Sequence, residues 1–126
     1  MTSHIVVLSA PSGVGKTSLA ALVCRKLPLL EPSVSCTTRA PRRGEREGKE
    51  YHFLTREAFE RLRKEGAFLE CACVYGHWYG TLKQTVCDIT QRGKIALLVI
   101  DTQGGLAVKR AFPDAFLIGV LPPSAA

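Results

Sequence analysis

Residues 9–18 read Ser-Ala-Pro-Ser-Gly-Val-Gly-Lys-Thr-Ser. Residues 10–17 meet the pattern G-x-x-x-x-G-K-[ST] at every defined position except the first, where Ala10 stands for glycine. The chemistry this spacing serves is phosphate binding. Gly13 and Gly15 let the backbone curl with its N–H groups pointing inward. A helix that begins directly afterwards adds unpaired N–H groups and a partial positive charge. Lys16 can then reach β- and γ-phosphates, and the Thr17 hydroxyl can ligate Mg²⁺. Candidate contacts to ATP are therefore Ser12, Gly13, Val14, Gly15, Lys16, Thr17 and Ser18, with Thr17 as the metal ligand. Ala10 is tolerable wherever its φ is negative, since only positive φ demands glycine. The competing reading is a turn with an incidental lysine.

A second signal lies at Asp101, which ends the apolar run Ile-Ala-Leu-Leu-Val-Ile of residues 95–100. In phosphate-loop enzymes a carboxylate in this place sits near the metal and the phosphates. Capping of the next helix by Asp101 or Thr102 is the plainer role, and the two can coexist.

These residues need elements to hold them. Residues 5–8 are apolar and β-branched and read as a buried parallel strand. Residues 17–27 space Leu19, Leu22, Val23 and Leu27 on one helical face, and Pro28 stops that helix. Residues 34–38 and 51–54 read as short strands around the charged loop of residues 39–51. Residues 56–65 form a helix with Phe59 and Leu62 inward and Gly66 as its cap. Residues 67–75 alternate as a strand, Gly76-His77 turns, and Trp78-Tyr79 begins the return. Helices over 82–92 and 102–111 then alternate with apolar strands over 95–100 and 116–121. The fold class is α/β: a phosphate-loop-type parallel core sheet from residues 1–32 and 82–126, with an α+β insertion over 33–81.

The 126 residues suit one compact core, and 46% hydrophobic with 22% charged residues excludes a disordered chain. A net charge of +6 favours anionic partners without choosing among them. Five cysteines, an odd number without a C-x-x-C pair, are expected to be free and mostly buried, which suits a reducing cytoplasm. No secretory signal or membrane span is expected, because the first apolar run is short and follows no basic residue.

The insertion carries Ser-Val-Ser-Cys-Thr-Thr-Arg-Ala-Pro-Arg-Arg-Gly-Glu from Ser33, then Glu-Tyr-His-Phe, Phe-Leu-Glu-Cys-Ala and Tyr-Gly-His-Trp-Tyr-Gly-Thr. With the phosphate loop before them, these spaced motifs resemble the guanylate kinase family over essentially the whole chain. The resemblance implies transfer of the γ-phosphoryl of MgATP to GMP or dGMP. It also implies acceptor contacts at Ser35, Arg39, Arg42, Tyr51, Glu70, Tyr79, Gly80, Thr81 and Asp101, with Lys16, Arg39, Arg42 and Asp101 in catalysis. The residue types suit that work. Arginine forks bond a monophosphate bidentately. Glu70 can accept from guanine N1–H and the 2-amino group, and Ser35 and Thr81 can complete the base edge. Read alone, Arg39, Arg42, Arg43, Arg46 and Lys49 are a solvated loop or a nucleic-acid patch, Glu70 is a strand-edge charge, and Tyr75, Trp78 and Tyr79 are packing aromatics. His52 and His77 have no ligand-like partners in the sequence.

Two departures from the family pattern are visible. Val99 stands where an acidic residue is usual, so weaker GMP or Mg²⁺ positioning is expected. After Pro122-Pro123-Ser124 the family continues into a helix, an arginine-bearing lid, a strand and a terminal helix. Impaired catalysis is expected without that lid. The expected partners are GMP and ATP, with neither nucleic acid nor a membrane. The rival readings are a guanylate-kinase-like scaffold module that binds phosphorylated peptides, and a kinase of another nucleotide or of a non-nucleotide acceptor.

Overall fold

The structure is a computed structural model and describes residues 4–9 and 16–119. Along the chain the elements are β1 (Ile5–Ser9), α1 (Lys16–Lys26), β2 (Leu30–Pro32), β3 (Cys36–Thr37), β4 (His52–Phe53) and α2 (Arg56–Lys64). They continue as β5 (Phe68–Val74), β6 (His77–Leu82), α3 (Lys83–Gln91), β7 (Ile95–Ile100), α4 (Thr102–Ala111) and β8 (Phe116–Gly119). The chain divides into two compact units, Met1–Ser33 with Asp88–Ala126, and Val34–Cys87.

The first unit is built on a wholly parallel sheet in the order β2-β7-β1-β8. Its two central strands carry the most apolar runs, and Val7, Leu8, Ala96, Leu97 and Leu98 are buried, as a sheet covered on both faces requires. Ala20 packs on Leu8 and Leu97, joined by Cys24, so α1 covers one face. On the other face α4 comes close enough that a Cβ on Gly105 would lie 3.1 Å from Ser9 Oγ. Helices on both sides of a parallel sheet give the expected α/β class.

Two local expectations change. Among the described side chains of α1, Ala20 and Cys24 pack on the sheet and Val23 is half-buried, while Leu22 and Leu27 are exposed; the Leu19 side chain lies outside the described residues. Small residues at i and i+4 let the helix sit closer than a leucine face allows. A strand absent from the sequence reading, β2, pairs with β7, and its Pro32 is tolerated because β2 lies at the sheet edge. The last apolar strand, β8, is likewise an edge strand, with Phe116, Leu117 and Ile118 exposed; residues 120 and 121 lie outside the described residues.

The second unit is a mixed sheet in the order β4-β3-β6-β5, with α2 against one face. Thr55 caps α2 through Oγ1, which accepts from Ala58 N at 3.1 Å. The core holds Cys36, Phe59 and Phe68, with the Phe59 and Phe68 rings stacked at 4.5 Å. The β5–β6 hairpin turns at Tyr75 and Gly76, both at positive φ (51° and 80°), so His77 belongs to β6 rather than to the turn. The cysteines are free, but only Cys36 is buried; Cys24 and Cys71 are half-buried and Cys73 and Cys87 exposed, so most of these thiols are not core residues. Among the described residues no helix is long and apolar enough to cross a membrane.

Gly80 in β6 lies under both core rings: a Cβ there would fall 2.8 Å from Phe68 Cδ1 and 3.1 Å from Phe59 Cζ. Gly80→Ala should destabilise the protein by about 1–3 kcal/mol through overpacking. Urea unfolding checks this, and an unchanged midpoint would show that the rings move aside freely.

Candidate active site

Strand alternation decides what the second sheet presents. Along β6, Trp78, Gly80 and Leu82 turn to the core beneath α2, so Tyr79 and Thr81 turn to the opposite face. Tyr79 pairs with Thr37 of β3 and Ala72 of β5, and Thr81 pairs with Glu70. Two residues of β5 oppose one of β6 between Phe68 and Glu70. This bulge lets Phe68 stay in the core opposite Leu82 while Glu70 joins Thr81 on the other face. Thr81 Oγ1 donates to Glu70 Oε2 at 2.9 Å, and Thr81 is fully buried. Ser35 precedes β3 by one residue, so the Cys36–Gly80 register puts it level with Thr81. Its carbonyl accepts from His52 N at 2.8 Å. Ser35, Thr81 and Glu70 thus fall in one row, from the residue before β3 across β6 to β5. Gly80 contributes to packing on the core face.

Beside that row stands Arg39. Thr37 Oγ1 accepts from Arg39 N at 3.1 Å and donates to Trp78 O at 2.9 Å, tying the start of the charged loop to β6. The Arg39 side chain is only 8% exposed. Its guanidinium lies 5.2 Å from the Tyr51 ring centroid, and the Tyr51 and Tyr79 rings are 5.8 Å apart. Glu45 accepts from Arg39 Nη1 at 2.9 Å and Nη2 at 3.0 Å. Glu45 Oε1 also accepts from Arg42 N at 2.7 Å, whereas the Arg42 side chain is exposed. The Glu45 carboxylate, and behind it the Tyr79 oxygen, hold the Arg39 pKa above its ordinary value against the opposing effect of burial. Hydrogen bonding to Arg39 lowers that of Glu45, and burial raises that of Tyr51.

The loop is therefore built by its own carboxylates. Glu47 Oε1 accepts from Phe53 N at 2.8 Å and its Oε2 meets His52 Nδ1 at 2.9 Å, while Glu50 Oε1 accepts from Arg46 N at 2.7 Å. His52, given no role from sequence, holds the loop through Glu47. Glu45 was missed as well. The available signal was an acidic residue inside a basic loop six positions after Arg39.

In the first unit, Ser9 pairs with Ile100, so β1 and β7 end level. Lys16, which opens α1, and Asp101, which opens α4, both follow carboxyl ends of that sheet, where open α/β sheets bind ligands. Asp101 caps α4: its Oδ1 accepts from Gly104 N at 2.8 Å. Val99 packs on the apolar cluster of Leu8, Ala20 and Leu97. Ser12, Gly13, Val14 and Gly15 lie outside the described residues, as do the side chains of Lys16, Thr17 and Ser18. Among the described residues no group of three or more His, Cys, Asp or Glu side chains could hold a metal.

One unit carries a parallel α/β sheet, and the other a sheet bearing a carboxylate, hydroxyls and a buried arginine, residue types that suit a phosphorylated ligand. The guanylate kinase family model matches residues 2–126, and the chain belongs to that family. It is 47% identical over 120 residues to a guanylate kinase of Thiobacillus denitrificans, covering 95% of this chain and 57% of that one. To one of Anaeromyxobacter dehalogenans it is 51% identical over 123 residues, covering 97% and 54%. The crystal structure of guanylate kinase from Anaplasma phagocytophilum matches with a TM-score of 0.80 at 37% identity, over 98% of this chain and 62% of that one. The chain thus spans little more than half the length of these curated relatives.

The Arg39–Glu45 pair has a definite pH signature. The folded-state pKa of Glu45 lies below its ordinary value of 4.5, so the pair's stabilisation is fully present above pH 4.5 and is lost as pH falls through the depressed value. The stability gap between the unsubstituted protein and Glu45→Gln should be constant near neutral pH and close in acid. Urea unfolding across pH checks this; a gap unchanged down to about pH 3 would contradict it.

Proposed function

We propose that the chain performs guanylate kinase chemistry, transferring the γ-phosphoryl of MgATP to GMP or dGMP to give ADP and GDP. The observation that carries this reading is the single sheet face shared by Glu70, Thr81 and Tyr79, with Arg39 and Tyr51 gathered at Tyr79. A base-sized polar row beside a buried cation fits a purine nucleoside monophosphate. In this reading Arg39, Arg42, Tyr51 and Tyr79 hold the acceptor phosphate. Glu70 takes the guanine N1–H and 2-amino donors, and Ser35 and Thr81 complete the base edge. A site built to pair polar base edges rejects the wrong base strongly.

Lys16, Thr17 and the backbone of residues 12–18 hold the ATP phosphates at the start of α1. The Thr17 hydroxyl and the Asp101 carboxylate are hard oxygen donors of the kind Mg²⁺ takes, together with nucleotide phosphates. The metal, when bound with ATP, supplies charge neutralisation for the phosphates. Asp101 combines this with capping α4 through one oxygen. No general base is needed, because the acceptor is a phosphate oxygen already anionic near neutral pH; alignment and charge neutralisation suffice. Residues 33–81 form the acceptor-binding part, and 1–32 with 82–126 the phosphate-loop core. The partners are nucleotides rather than nucleic acid or a membrane, a reading supported by Arg39, whose charge is buried against Glu45 and beside Tyr51 rather than displayed on the surface. Free thiols fit the cytoplasm.

The test is ADP formation by this chain from MgATP with GMP or AMP as acceptor, beside calorimetric binding of each monophosphate. Use and binding of GMP over AMP is expected, with Glu70→Gln weakening GMP by about 10- to 100-fold. Equal use of AMP, binding of neither, or an indifferent Glu70→Gln would overturn the reading.

A further inference from the structure

The donors of Arg39 show what remains for a ligand. A guanidinium has five N–H groups. Nη1 gives one to Ala40 O at 3.0 Å and one to Glu45 Oε1, and Nη2 gives one to Glu45 Oε2. Glu45 therefore fills the end-on fork between Nη1 and Nη2. The two donors that neither Ala40 nor Glu45 takes, Nε–H and the second N–H of Nη2, lie side by side on the remaining edge, with the Tyr79 and Tyr51 hydroxyls near the guanidinium. Nε is buried and has no hydrogen-bond partner among the described residues. A buried donor without an acceptor is unfavourable until one arrives. The same carboxylate holds Arg42 N at 2.7 Å, fixing the backbone of the second arginine against the first.

We propose that Glu45 is a positioning residue for the phosphate site: it occupies the end-on fork of Arg39, leaves the Nε/Nη2 edge for a phosphomonoester, and anchors Arg42 beside it. The inference rests on the GMP reading above. It adds a residue that touches no substrate but decides which edge of Arg39 does. Bidentate side-on recognition of a phosphate needs a guanidinium whose plane is held in advance. Glu45 with Ala40 holds it at three points, and the Tyr51 ring lies against it.

The experiment compares GMP with guanosine, which differ only in the phosphate. Calorimetry on the full chain should give Glu45→Gln about tenfold weaker GMP binding and unchanged guanosine binding. Glu45→Asp, which keeps the charge, should recover part of the loss. Equal losses for GMP and guanosine would reduce Glu45 to a structural role. Tighter GMP binding would make it a competitor for the same fork. Either result overturns the proposal. Should Glu45→Gln not fold, the unsubstituted protein still decides: the Arg39 Nε–H resonance should shift on adding GMP and stay in place on adding guanosine, and a resonance indifferent to GMP refutes the proposal. If the unsubstituted protein binds guanosine but not GMP, the phosphate assignment fails; if it binds neither, the GMP reading itself fails.

Discussion

One extra residue in β5 governs the chemistry of the second sheet. Strand side chains alternate between faces, so without a bulge Phe68 and Glu70 would point the same way. Either the phenyl ring would leave the core or the carboxylate would enter it. The bulge between them gives Phe68 to the stack with Phe59 and Glu70 to the row with Thr81. Core and site are thus solved by the same irregularity. Gly80 belongs to this arrangement, because the rings that replace its side chain keep β6 close enough to α2 for Thr81 and Tyr79 to stay on the far face.

The second constraint is electrostatic. Arg39 is buried, and a buried guanidinium destabilises unless its charge and its donors are matched. Glu45 matches the charge, and Thr37 fixes the backbone from which the side chain leaves. The same glutamate accepts from the Arg42 backbone N–H, so one carboxylate ties the Arg39 side chain to the Arg42 main chain. This is why the charged loop is ordered by polar contacts although it contributes little to the apolar core. The reading of that loop as a solvated run holds for the exposed side chains of Arg42, Arg43, Arg46 and Lys49 but not for the buried Arg39.

Much of the fold was legible because it depends on pattern. Continuous apolar runs announced β1 and β7, Gly66 closed α2, and Asp101 opened α4. What was not legible depends on distances between segments. Periodicity pointed to Leu19, Leu22, Val23 and Leu27, but Leu22 and Leu27 are exposed and Ala20 and Cys24 face the sheet, since only contact reveals how near the helix lies. β2 is three residues long and contains a proline, too little for any periodic signal. The site residues of the second unit were visible as types, yet their common face follows from a bulge that leaves no mark in composition. Glu45 looked like one charge among many, since only the fold shows that Arg39 beside it is buried.

The two halves of the proposed chemistry make different demands on the chain. Residues 35, 39, 42, 51, 70, 79, 80 and 81 all fall within Val34–Cys87, whose stacked Phe59 and Phe68 form its own core. The acceptor face is positioned by strand register, one bulge and one ion pair, all internal to that unit. The phosphate-loop residues and Asp101 belong to the other unit and its parallel sheet. On the proposed function, the acceptor contacts other than Asp101 lie within one unit, whereas phosphoryl transfer also draws on residues of the other. Binding and turnover would then be separable: affinity for GMP would report chiefly the second unit, and rate how completely positive charge surrounds the phosphoryl in flight.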